Sequence, residues 1–309
     1  MQKGSRIVVT VVGRDRPGIV AGVTNTLANF NANIVKARAS SLLDIFMMVL
    51  VADVSGMAVD LRKLIWELKC EGERTGLGIS VETGEAYKKE KRLIVLDMDG
   101  TVVDAEVIDE LAKMMGTEAE AKKITKAAME GKINFKAALE RRAKMLKGLP
   151  LKKVKELRDS IPIVSGANDL ISELKKAGFV TVLMTGSFDV IANVVSRKLG
   201  FDYVFSNRLL AKNGKLTGEV EGRVMGPESK LELLRNVARK EGITLDECVA
   251  VGDGANDLLI IKDCGLGIGF NPKKVVKDEA NALVNVKDLK VVLAFIGRGK
   301  IKEEIKERL

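Results

Sequence analysis

Two apolar runs that end abruptly in acids constrain this chain more than any other feature. Leu93-Ile94-Val95-Leu96 runs into Asp97-Met98-Asp99-Gly100-Thr101, and Cys248-Val249-Ala250-Val251-Gly252 runs into Asp253-Gly254-Ala255-Asn256-Asp257. Unbroken apolar strands are buried on both faces, the condition of a parallel sheet covered by helices. Ionised carboxylates at the ends of such strands are costly unless a cation or a substrate uses them. The two runs therefore predict strands of one α/β sheet that aim acids into a shared crevice.

What the chain lacks narrows the chemistry. It has no histidine, which excludes His-based triads, His-ligated zinc and phosphohistidine intermediates, and leaves Asp, Glu, Lys, Cys or Tyr for proton transfer. Cys70, Cys248 and Cys264 show no CxxC spacing and read as core thiols in a reducing compartment. No apolar run approaches the roughly 20 residues of a membrane span. No basic segment leads into an apolar signal core at Met1, so a soluble, cytoplasmic protein is expected. The net charge of +9 is mixed along helices with few aromatics, which speaks against nucleic acid. Residues 105–158 carry 14 Lys and Arg against 8 Asp and Glu, either an ordinary solvated face or a positive wall that draws in an anion.

Along 309 residues there is room for an α/β domain and a smaller one. Residues 6–13 are β-branched; Arg14-Asp15-Arg16-Pro17-Gly18 turns the chain, and Ile19, Val23, Leu27 and Phe30 mark a helix broken at Asn31-Ala32-Asn33. Strands follow near 34–40 and 45–54, then a helix through Leu61, Leu64, Ile65 and Leu68, and a strand at 77–81. This βαββαβ order describes a ferredoxin-like domain with helices over one sheet face. Thr83 to Arg92 is charged and aperiodic, a boundary between domains at 1–85 and 86–309. Residues 104–163 are helical throughout and read as a cap inserted into a Rossmann-like parallel sheet. Beyond it come a helix at 167–177, a strand at 180–184, Thr185-Gly186-Ser187 at a helix start, and a hairpin over 203–221 turning at Asn213-Gly214. A helix from Pro227, strands at 266–270 and 282–286, and a last helix at 287–297 with a Lys/Glu tail over an edge complete the pattern.

A phosphate ester beside Asp97 and Asp99 would be repelled unless Mg2+ bridges the charges. Hydroxyl and backbone donors at Thr185-Gly186-Ser187, the lysine Lys230, and the loop acids Asp253 and Asp257 supply the other needs of phosphoryl transfer. Rival motifs fail on spacing. An EF-hand from Asp97 would need Glu where Ile108 stands, Gly265 to Gly269 lies inside a strand, and no GxxxxGK[ST] occurs. Any one of the acids taken singly reads equally as a turn or cap residue, and Asp257 as a helix cap.

In this order the motifs resemble the haloacid dehalogenase superfamily over about residues 92–295. The resemblance implies Asp97 as nucleophile, forming an aspartyl phosphate, and Asp99 as general acid and then base. It also implies Mg2+ on Asp97, the Asp99 backbone carbonyl and Asp253, with Asn256 and Asp257 supporting, and Thr185, Gly186 and Lys230 gripping phosphate. Within the cap, Phe135, Leu139 and Arg142 share a helical face, and Glu106 follows the first acidic strand. From pattern alone Arg142 and Glu106 either pair with each other, lie in solvent, or read the carboxylate and ammonium of an amino-acid head group. Glu106 through Arg142, with Met129-Glu130-Gly131-Lys132-Ile133-Asn134-Phe135, and Asn207-Arg208-Leu209 through Leu216-Thr217-Gly218, resemble the phosphoserine phosphatase family. That implies the head-group reading, with Met129 and Phe135 on the substrate's carbon side, and hydrolysis of O-phospho-L-serine as the last step of serine synthesis. The alternatives are another small phosphoester, such as phosphohomoserine, phosphothreonine or a sugar phosphate, or an amino-acid sensor with a vestigial phosphatase half. Gly100 and Thr185 stand where the family has serines, and Ser187 where it has a second glycine.

The first domain, with Arg14-Asp15-Arg16-Pro17-Gly18-Ile19 at its first strand-to-helix turn, resembles ACT regulatory domains. The resemblance implies a homodimer that binds a small amino acid, with L-serine as regulator and Asp15, Pro17, Gly18 and Asn31 near the ligand. The bland alternative is that Pro17 and Gly18 only shape a turn.

Overall fold

The computed structural model describes residues 6–42, 45–58, 60–129, 132–222 and 224–296. The side chain of Met129 and the Lys/Glu tail lie outside the described residues. In the first part, β1 (Arg6–Arg14), α1 (Ile19–Asn29), β2 (Asn33–Leu42), β3 (Ile45–Asp53), α2 (Leu61–Thr75) and β4 (Gly78–Thr83) follow the expected order. Ile19, Val23 and Leu27 on α1, and Leu64, Leu68 and Gly72 on α2, repeat every fourth residue, so each helix buries one stripe. Those stripes pack on Ile7, Val9 and Val11 of the sheet. The Asp60 carboxylate starts α2 by accepting from the Arg62 amide at 2.9 Å, and left-handed Gly76 ends it.

The charged stretch after β4 is more than a spacer. It forms α3 (Gly84–Lys88), which buries Tyr87 against Val8, Val49 and Val51 on the sheet face that α1 and α2 leave open. Lys91 is also buried, its ammonium donating to the Asp246 carbonyl at 2.9 Å. A five-residue helix held by one ring is too short to show apolar periodicity, which is why the pattern concealed it.

The second part opens with β5 (Leu93–Leu96), wholly buried. The helices α4 (Val107–Met114), α5 (Glu118–Met129), α6 (Phe135–Met145) and α7 (Leu151–Ser160) form the cap. Alternation resumes with α8 (Ala167–Lys176), β6 (Val180–Phe188), α9 (Asp189–Leu199), β7 (Tyr203–Lys212) and β8 (Lys215–Glu221). Then come α10 (Pro227–Lys240), β9 (Cys248–Gly252), α11 (Leu258–Asp263), β10 (Leu266–Phe270), α12 (Lys274–Lys277), β11 (Ala282–Val284) and α13 (Val292–Ile296). The hairpin turn at Asn213-Gly214 has both φ values positive, 51° and 74°, as a tight two-residue turn requires. Two elements differ from expectation. β6 runs on through Thr185-Gly186-Ser187 to Phe188, so these donors sit on a strand end with an irregular register and not at a helix start. The last helix, expected over 287–297, is a 3-10 turn at Leu289–Val291 followed by the short α13, because Asp288 caps at Lys290 instead of extending a helix.

All strands join one sheet in the order β2-β3-β1-β4-β11-β10-β9-β5-β6-β7-β8. β11 to β7 run parallel, with β8 and the N-terminal strands antiparallel. After β5 the chain moves to β6 on one side and only later to β9 on the other. The crevice beyond the carboxyl ends of β5 and β9 is thus the switch point where α/β sheets bind ligands. The link β4 to β11, with Ala282 opposite Ser80 and Leu283 opposite Ile79, carries the sheet from one domain into the other, which no pattern foretold. Among the described residues no helix is long and apolar enough to cross a membrane.

Candidate active site

Asp97 leaves β5 with its amide donating to the Val251 carbonyl of β9 at 2.9 Å, which fixes the two acidic strand ends side by side. One carboxylate oxygen each from Asp97, Asp253 and Asp257 lies within 4.8 Å of the others. Two glycines permit this crowding. A Cβ on Gly252 would lie 2.5 Å from the Asp257 carboxylate, and one on Gly100, already at φ +71°, 2.9 Å from Asp253 Oδ2. A buried, all-oxygen cluster carrying three formal negative charges suits a hard divalent cation.

Lys230 is wholly buried and bridges two members of this cluster, its ammonium paired with Asp97 and, at 2.6 Å, with Asp257. Burial works against that ammonium, but Asp257 and Asp97 outweigh it and hold its pKa above the ordinary lysine value. Burial and the Asp257 charge push Asp97 well above the usual carboxylate range, with Lys230 opposing them. Asp253 is raised by burial, opposed by Lys273. Asp99 accepts from the Val107 amide at 3.4 Å. Its pKa is pushed up to about 7 by desolvation and by the nearby Glu106 carboxylate, poising it to give and take a proton near neutrality.

In front of these acids lies a cavity of about 290 Å³. Asp97, Asp99 and Asp253 form its floor, and Phe135 and Arg142 of the cap and Glu106 at the start of α4 close it. Thr185, Gly186 and Asn256 also line it, as expected. Gly186 is required here, since a Cβ would stand 2.9 Å from the Phe135 ring. Arg142 and Glu106 do not pair. The Arg142 Nη1 donates to Thr125 Oγ1 at 3.4 Å while its buried Nε has no partner, and Glu106 is held by Lys273 at 3.3 Å. Lys230, also expected at the phosphate, is wholly buried on Asp97 and Asp257 and does not line the cavity. Asp257 does not line the cavity; its carboxylate accepts from the Gly254 amide at 3.4 Å, capping the 3-10 turn Ala255–Asp257, while it caps no residue of α11.

Two neighbours of the site, Lys273 and Asn207, were not foreseen. Lys273 spans Asp253 and Glu106. Asn207 ties the Gly186 carbonyl (2.7 Å) to the Met225 amide (2.8 Å), and Ser187, one of the expected hydroxyl donors, lines the cavity beside Asp99. Lys273 had one legible signal, its place just past a parallel strand on the same sheet edge as the acids. In the first domain, Asp15 accepts from Ser41 Oγ (2.9 Å), Gly18 precedes α1 in a left-handed conformation, and Asn31 donates to the Gly56 carbonyl (2.9 Å). Asn31 and Gly18 lie at opposite ends of the 11-residue α1, about 16 Å apart, so one chain does not gather the four residues around a single ligand.

A sheet with acids at its switch point, a helical cap and this carboxylate cluster define a class. The model of the haloacid dehalogenase-like hydrolases matches residues 94–262 and that of the ACT domain residues 5–82; the chain belongs to this hydrolase family, whose phosphatases use a divalent metal. It is 41% identical over 283 residues to the phosphoserine phosphatase of Archaeoglobus fulgidus, covering 91% of this chain and 81% of that one. It is 46% identical over 209 residues to that of Methanocaldococcus jannaschii, covering 68% and 99%. Within the hydrolases the chain is therefore a phosphoric monoester hydrolase of the phosphoserine phosphatase family. A solved phosphoserine phosphatase with a phospho-aspartyl intermediate analogue matches at TM-score 0.64 and 46% identity, covering 68% of this chain and all of that one.

Proposed function

We propose that the chain hydrolyses O-phospho-L-serine to L-serine and phosphate through an aspartyl phosphate on Asp97. The observation that carries this is the convergence, on one cavity, of Asp97 with an Arg142 whose Nε is buried and unpartnered and with Glu106. Arg142 takes the substrate carboxylate, Glu106 its ammonium, and Phe135 packs on its carbon side. An Asp97 oxygen bonds to phosphorus as the seryl C–O oxygen leaves, and Asp99 protonates that oxygen. Asp99 then takes a proton from water, the water oxygen bonds to phosphorus, and the Asp97–phosphate bond breaks. Lys230 opposes the burial and the Asp257 charge that favour a protonated Asp97. Thr185 and the amides around Gly186 receive the phosphoryl oxygens, and Asn256 completes the rim.

The metal reading is Mg2+, held by Asp97, Asp253 and the Asp99 backbone carbonyl with Asp257 in support; when bound it neutralises the phosphoryl oxygens so that like charges can meet. An oxygen-only set favours a hard cation over zinc or copper. Turnover of phosphoserine, phosphothreonine and a sugar phosphate by wild type and Arg142→Ala, with and without Mg2+, tests the assignment. Loss confined to carboxylate-bearing substrates is expected, and equal loss on all of them would refute it.

The same reading makes the reaction the last step of serine synthesis and gives the N-terminal domain a regulatory part, L-serine bound between the ACT domains of a homodimer. A short route to the site supports regulation. Lys69 of α2 donates to the Lys277 carbonyl at 3.0 Å, Glu73 pairs with Lys277 at 2.8 Å, and the other end of α12 is capped by Lys273, which touches the site.

A further inference from the structure

Among the described residues that line the cavity, Lys273 is the one cation with no part in the catalytic scheme above. Its amide donates to the Asp253 carbonyl at 2.8 Å, which pins its backbone to the loop of the second acidic strand. Its ammonium stands 3.1 Å from Asp253 Oδ2 and 3.3 Å from Glu106 Oε1, a bridge from the sheet to the residue that begins α4 of the cap. The side chains of Lys273 and Glu106 remain 44% and 47% exposed, so an arriving ligand reaches the pair from solvent.

We propose that Lys273 is a specificity-determining residue: it holds Glu106 in the position from which that carboxylate receives the substrate's ammonium, and it is the cation that the ammonium displaces. This rests on the reading of Glu106 as the ammonium site. A primary ammonium at the tip of a lysine and the α-ammonium of an amino acid are the same donor to a carboxylate. Lys273 therefore keeps Glu106 neutralised and aimed across the cavity mouth, and a phosphoester without an amine leaves the bridge standing. An aminated substrate takes Glu106 and frees Lys273 to pair with Asp253 alone. The exchange sets how strongly the site prefers amines, because every aminated ligand must compete with an internal cation and every other ligand need not.

Calorimetric binding to the full chain in Mg2+ tests this with two non-hydrolysable probes, 3-phosphonoalanine and 3-phosphonopropionate, which differ only in the amine. Lys273→Met is expected to raise the affinity ratio of aminated to amine-free probe by roughly two- to fivefold, the size of one half-exposed ion pair. Lys273→Arg, which keeps a cation on Glu106, is expected to leave the ratio within twofold of wild type. Glu106→Gln separates the two levels of the argument. If it leaves the wild-type ratio unchanged, the ammonium reading fails and takes the proposal with it. If it collapses the ratio while Lys273→Met does not raise it, the proposal alone is overturned. Thermal unfolding of Lys273→Met alongside guards against a misfolded variant, and Lys273→Arg then carries the test: a raised ratio for it overturns the proposal.

Discussion

Replacing Lys230 by Met isolates the charge that holds the acidic cluster together. The lysine is wholly buried between Asp97 and Asp257, and Met retains most of its apolar stem, so the loss reads the ammonium more than a cavity. Breaking one partner out of a buried ion cluster costs roughly 3–5 kcal/mol. The variant has two ways to respond. Leaving both carboxylates ionised within 4.8 Å adds repulsion of about 3 kcal/mol at an effective dielectric of 20. Protonating an ordinary carboxylate at pH 7 costs about 4 kcal/mol, and less for Asp97, whose pKa burial and Asp257 already raise. Protonation of Asp97 is the response wherever its raised pKa makes it cheaper than that repulsion, so the expected loss at pH 7 is about 3 kcal/mol or somewhat less. The folded variant then keeps a proton that the unfolded chain releases above about pH 4, so its stability falls as pH rises until the folded pKa is passed. Urea unfolding of wild type and Lys230→Met in EDTA, at pH 5 and pH 8, reads both quantities. The deficit should be larger at pH 8, shrink on adding a divalent cation, and shrink again in Lys230→Met/Asp257→Asn. A deficit under about 1 kcal/mol, or one equal at the two pH values, would refute the view of Lys230 as counterion to the cluster.

Gly186→Ala places a Cβ 2.9 Å from the Phe135 ring, an overpacking of about 1–3 kcal/mol that the cap relieves by moving away. Steady-state kinetics should show KM for phosphoserine raised roughly 5- to 100-fold, with Tm nearly unchanged; an unaltered KM would mean that Phe135 does not close on the substrate. For the N-terminal domain, equilibrium dialysis of L-serine against the full chain should show saturable uptake that Gly18→Val abolishes, since φ +92° at Gly18 is a backbone conformation that a β-branched residue adopts only under strain. Absence of any saturable uptake by the wild type would remove serine as the regulator.

Much of this protein is legible in its sequence because the signals are local. Continuous apolar runs with terminal acids marked β5 and β9 as buried parallel strands, fourth-residue repeats marked α1 and α2, and Asn213-Gly214 marked a hairpin turn. The glycines at 100 and 252 were visible as letters, but their purpose, letting Asp253 and Asp257 crowd together, belongs to three dimensions. So does the fate of each charged side chain. Lys230 and Lys273 look alike in sequence, yet one is buried between Asp97 and Asp257 and the other spans the cavity mouth. The single ring of Tyr87 that fastens α3, and the pairing of β4 with β11 that merges two domains into one sheet, left no periodic trace. Sequence alone thus determined most of the strands and helices and which acids end the two buried strands, because hydrophobic period and strand termini are properties of neighbours along the chain. Only the tertiary structure decided which cation meets which carboxylate, because a charge's partner and its degree of burial depend on residues that the fold brings in from more than a hundred positions away.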